Sequence, residues 1–100
     1  MNVILGTLIE EKQRNVRMQK NCIDEIAKLP KGSLSVKRIG KNEYCYLKYR
    51  QGKKFVSKYV GKYDEKIEEI KEQIEKRRYL EKLLRNLKDE YKLITKVVRD

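Results

Sequence analysis

One hundred residues are enough for one small domain with a thin core, since a chain of this size buries only about two thirds of the surface it exposes when unfolded. Charged residues make up 41% of the chain and apolar ones 39%, and the regular spacing of the apolar residues excludes disorder as the reason for so much charge. The net charge is +11 with no histidine, which excludes Ser-His-Asp and Cys-His catalysis and points to an acidic partner.

The first predicted element is a helix over residues 7–29. Leu5, Leu8, Ile9, Val16, Ile23, Ile26 and Leu29 keep helical spacing, and Ile9, Val16 and Ile23 fall seven apart. Lys12 and Gln19 interrupt that stripe, and Pro30 and Gly32 end the helix. Residues 1–6 read as a short strand or a frayed helical turn. The apolar run at Val3 to Leu5 is too short for a membrane span or for the core of a signal peptide. Cys22 and Cys45 fit no metal spacing and read as free thiols, buried as small hydrophobes in a reducing cytoplasm.

The second segment changes period. Leu34 and Val36 share one face of a strand over residues 33–39, and Gly40 opens a turn. Residues 43–50 then alternate, with Tyr44, Tyr46, Lys48 and Arg50 on one side and Cys45, Leu47 and Tyr49 on the other. Gln51 and Gly52 make a tight turn, and a third strand covers residues 54–60 up to Gly61. Three sequential strands with short turns make an antiparallel meander. Tyr49 and Tyr59 are expected to point inward.

The third segment predicts a long helix over residues 64–98. Asp64 is a suitable N-cap, and Glu65, Glu68 and Glu69 follow where the helix dipole favours acids. Ile67, Ile70 and Ile74 form one apolar run. Leu80, Leu84, Leu87, Tyr91, Ile94 and Val98 form a second, with the alternating steps of a coiled-coil seam. The register slips between them, at Lys76, Arg77 and Arg78, a cluster that reads as a solvated face. The first helix is expected to pack antiparallel on this helix and the sheet to cover Ile67 to Ile74. The stretch from Leu87 to Val98 is then left overhanging, which suggests a homodimer through the second run. The fold class is α+β in a single domain spanning residues 1–100.

The charge is not spread along these elements. Residues 31–63 carry ten basic side chains against Glu43 alone, a net of +9, whereas the segments on either side are each +1. The candidate site is therefore the strand face of Tyr44, Tyr46, Lys48 and Arg50, with Lys37, Lys53, Lys54 and Lys58 from neighbouring strands and turns. Lysine and arginine neutralise phosphates and release counterions, while tyrosine rings stack on unpaired bases. Tyrosine also favours strands for its own sake, and lysines protect sheet edges, but neither requires so large a local excess.

Enzymatic chemistry finds little support. The basic segment holds no cluster of carboxylates for metal-assisted cleavage, and no Gly-rich phosphate loop has the required spacing. Tyr44, Tyr46, Lys48 and Arg50 are residue types that histidine-free ribonuclease toxins of the RelE type use, but the order of elements differs from that family. The chain reads as a binding protein with no cofactor and no metal.

Three stretches carry a resemblance: Leu29 to Leu34 (LPKGSL), Tyr44 to Lys54 (YCYLKYRQGKK) and Ser57 to Lys62 (SKYVGK). Together they resemble small uncharacterised proteins of bacteria, phages and mobile elements that end in a long charged helix, over about residues 25 to 95. A looser likeness, through Tyr46, Tyr49, Arg50, Gly52, Lys53, Lys54 and Gly61, is to the three-stranded arm-binding domains of tyrosine recombinases. It implies a hairpin that meets DNA. Two readings follow. One is a nucleic-acid-binding accessory or regulatory factor of phage or mobile-element origin. The other is a protein-interaction module, such as a phage inhibitor of a CRISPR-type nucleoprotein complex.

Overall fold

A computed structural model describes residues 3–98. They form helix α1 (Val3–Ala27), strands β1 (Ser33–Ile39), β2 (Asn42–Gln51) and β3 (Lys54–Lys62), and helix α2 (Glu65–Val97). The strands make one antiparallel sheet in the order β1-β2-β3, so the fold is the α+β meander between two helices that the periodicities predict. Among the described residues no helix is long and apolar enough to cross a membrane. The chain divides into two compact units. One is Leu29–Arg78; the other joins the residues up to Lys28 with those from Tyr79 onward. The division within α2 falls where the apolar register slips.

In the first unit the sheet packs on the opening turns of α2. Asp64 caps that helix: its Oδ1 accepts from the Lys66 and Ile67 amides at 3.0 and 3.3 Å. Period-two alternation sends Cys45 and Leu47 of β2 to the covered side, and the 3.6-residue period of α2 brings Ile67 and Ile74 to meet them. Cys45, Ile67 and Ile74 are buried, each isoleucine contributing about 1.5–3 kcal/mol. The segment before β1 is tied to the same helix. Arg77 donates to the Leu29 carbonyl at 2.6 Å and Arg78 to that of Gly32 at 3.2 Å. The reading of residues 76–78 as a solvated face is corrected here for Arg77, which is half-buried and holds the linker.

In the second unit α1 lies antiparallel to the later part of α2. Asn15 bonds to Leu87, while Lys12, one turn earlier, stands over the Tyr91 ring at 5.7 Å. The α2 seam is the expected one, with Leu87 and Val98 buried and Leu80, Leu84, Tyr91 and Ile94 half-buried. The overhang is absent, because α1 begins at Val3, about one turn earlier than its spacing predicts, and the seam is covered within the chain. The first two residues lie outside the described ones.

The face that α1 presents is not the expected one. Ile9, Val16 and Ile23 are 40% to 51% exposed. The residues turned to α2 include Leu8, Lys12, Asn15, Gln19, Cys22 and Ile26, with steps of four and three. Polar residues are tolerated there because their groups are satisfied. Asn15 is only 4% exposed. Its Nδ2 donates to the Leu87 carbonyl at 2.9 Å, and its Oδ1 accepts from Gln19 Nε2 at 2.7 Å. The stems of Lys12 and Gln19 cover apolar surface in place of the missing hydrophobes.

Candidate nucleic-acid interface

Strand register decides which basic side chains share a surface. β2 ends at Gln51 and β3 begins at Lys54, which are partners, so Gly52 and Lys53 form a two-residue turn. Gly52 has φ +62°, the positive value that a type II′ hairpin turn requires at its first central residue. Gly40, at φ +64°, opens the β1–β2 turn in the same way. From these turns the pairs follow one another: Arg50 faces Phe55, Lys48 faces Ser57, Tyr46 faces Tyr59, and across β1 Tyr44 faces Lys37. Directly opposed residues point to the same side. Lys37, Tyr44, Tyr46, Lys48, Arg50, Phe55 and Tyr59 therefore share the face turned away from Cys45 and Ile67.

A bulge adds Lys62 to this face. The pairing shifts between Cys45 and Tyr46, so that Cys45 faces Gly61 while Tyr46 faces Tyr59, and Val60 is the extra residue. Beyond it Tyr44 faces Lys62.

Of the eight residues expected from the sequence, Lys37, Tyr44, Tyr46, Lys48 and Arg50 come together on this outer face, and Lys53 is exposed at the hairpin tip. Lys54 and Lys58 do not join them. Paired with Gln51 and Leu47, they alternate to the opposite side. Tyr59 needs the reverse correction: expected inward, it is 52% exposed on the outer face. Phe55 and Lys62 complete the surface and were not among the expected residues. Counting outward from a two-residue turn at Gly52 and Lys53 would have found Phe55 and Tyr59. The bulge that places Lys62 left no signal of that kind. Tyr49 points inward as expected and packs beneath Lys31, whose Nζ is 5.9 Å from its ring centre.

The rings form a connected patch. Tyr59 contacts both Tyr44 and Tyr46, with centroids at 6.3 and 5.4 Å and planes tilted by 47° and 58°, within the favourable range for aromatic pairs. Cations are interleaved: Lys37 Nζ stands 5.2 Å from the Tyr46 ring centre, and the Arg50 guanidinium 5.3 Å from that of Phe55. Phe55 is 80% exposed. Glu43, the only acid of residues 31–63, alternates to the opposite side, so no acid of this segment lies on the outer face. On that side burial raises the Cys45 thiol pKa, with Glu43 and Asp64 adding to the shift. The thiol is thereby held protonated, and a protonated thiol is a poor nucleophile. Cys22 and Cys45 are both free and buried.

Residues 8–72 match the model of a family described as a domain of unknown function, DUF6788. No curated protein and no solved structure matches the chain.

Proposed function

We propose that this chain, which belongs to the DUF6788 family, binds nucleic acid through the outer face of its sheet. The observation that carries the reading is the make-up of that face: Lys37, Lys48, Arg50 and Lys62 interleaved with exposed rings, and no acid among them. Edge protection does not account for it. Lysines guard the outermost strands of a sheet, whereas Lys48 and Arg50 belong to β2, the central strand. Gathering like charges on one surface costs a folded protein electrostatic repulsion, whereas a polyanion that meets them gains counterion release. Binding of this kind is sequence-tolerant and needs no cofactor. It suits an accessory or regulatory factor of a phage or mobile element.

The test is a salt titration of binding to a labelled oligonucleotide, single-stranded and duplex. Affinity should be measurable at about 50 mM salt and fall linearly in log K against log salt. No binding at that salt would end the proposal.

A second reading, a module that docks on a protein, is favoured by a different surface. Ile9, Val16 and Ile23 of α1 and Leu93 and Val97 of α2 remain exposed although α1 and α2 are paired, and exposed apolar stripes of this kind mark interaction surfaces. Such a partner could be a nucleoprotein complex of the CRISPR type, or a second copy of the chain. The seam from Leu80 to Val98 is already occupied by α1, so self-association would have to use the exposed stripe.

A further inference from the structure

We infer that the outer face takes unpaired rather than duplex nucleic acid, with one base stacked at Phe55 and Arg50, another at Tyr59, and the intervening phosphate over Lys48. This rests on the nucleic-acid reading above and narrows it. The Phe55 side chain has no polar atom, so it can give nothing to a phosphate, yet it stands 80% exposed on a face of cations. A surface built only for phosphates would carry lysine, arginine or serine there. What an exposed phenyl ring can receive is another flat ring, and the bases of a duplex already stack on one another and present only their edges.

The order along β3 agrees. Phe55, Ser57 and Tyr59 are successive outer residues, facing Arg50, Lys48 and Tyr46 on β2. The surface therefore reads ring, cation, ring, with the two rings about 13 Å apart at the usual strand rise. Arg50 covers one side of the Phe55 ring at 5.3 Å. Its planar guanidinium is itself a platform on which a base can stack. Tyr59 is held by tilted contacts with Tyr44 and Tyr46 while staying 52% exposed, so its ring is oriented before any base arrives. Sheet surfaces that hold two or three bases on exposed rings are an established way of reading single strands.

The experiment measures binding of the full chain to three labelled probes of one sequence: single-stranded DNA, single-stranded RNA and the DNA duplex. Either single strand should bind more tightly than the duplex. Phe55→Ala and Tyr59→Ala should each weaken single-strand binding by about 5- to 150-fold, the range of one lost stack, with little change in salt slope. Tyr59→Phe, which keeps the ring, should bind like wild type. Both side chains are exposed, so the variants are expected to fold, and circular dichroism checks this. Phe55 is the chain's only phenylalanine. Ring-labelled phenylalanine therefore gives an NMR signal from this position alone, which should move upfield with a single strand and stay in place with the duplex.

Duplex binding as tight as single-strand binding would overturn the inference. So would unchanged single-strand affinity in the two alanine variants. In either case the broader proposal survives if Lys48→Ala still weakens binding. Absence of binding to all three probes would overturn both.

Discussion

A methyl group on residue 32 would overlap the main-chain oxygen of Lys48 and stand 2.9 Å from the Tyr49 Cβ. Gly32, at φ +109°, thus lets the linker run directly against the strand that carries the candidate site. Gly32→Ala combines backbone strain with a main-chain clash. It should cost about 3 kcal/mol or more, lowering Tm by more than about 10 °C in a thermal melt. Gly6→Ala provides the comparison. Nothing lies within 4 Å of a Cβ there, and alanine in the α1 interior should stabilise by about 0.5–1 kcal/mol.

Asn15 and Leu87 are joined by a buried hydrogen bond. Asn15→Ala leaves a void and removes the partner of Gln19, and should cost about 1–3 kcal/mol in urea denaturation. Asn15→Leu should be as stable as wild type or more so, because an apolar residue in this seam avoids the cost of desolvating an amide. If both variants lose the same stability, polar satisfaction and not packing is what the position supplies.

The two sides of the sheet should differ in salt response. Four outer cations at about −0.7 each for a single strand give a slope near −3. Lys48→Ala with Arg50→Ala should reduce it by about 1.4. Lys54→Ala with Lys58→Ala, on the other side, should change it by less than half as much. Equal losses from both pairs would mean that the hairpin is gripped from both sides and that no single face is the site.

Arg77 should matter for stability and not for binding. Its bond to the Leu29 carbonyl is charge-assisted and half-buried, so Arg77→Ala should cost about 1–2 kcal/mol and lower Tm by several degrees. Oligonucleotide affinity should be unchanged once the variant is measured well below its Tm. Lost affinity in a fully folded variant would move Arg77 into the interface.

Much of this architecture was legible because it depends on neighbours in the chain. Strand alternation around Cys45, the cap at Asp64, the stop at Pro30 and the glycine-led turns are local. Each was decided by steric limits within a few residues, so the element bounds agree with the structure to within a few positions. The concentration of positive charge in residues 31–63 was equally plain, since charge is carried by composition and needs no fold.

What the sequence could not decide was which of two acceptable faces each element buries. In α1 the run Ile9, Val16, Ile23 is the more hydrophobic, yet the run through Asn15 and Cys22 packs on α2. That choice rests on contacts with residues far away in sequence: the Leu87 carbonyl and the Tyr91 ring. In β3 Tyr59 was expected inward, and nothing in the sequence assigned Phe55 to a face. The sheet places both on the outer face because the two-residue turn and the pairing with β2 set the parity of every side chain at once. Local periodicity therefore determined what the elements of this protein are. Pairing between distant segments, where one slip of register reverses a whole face, decided which residues form its surface.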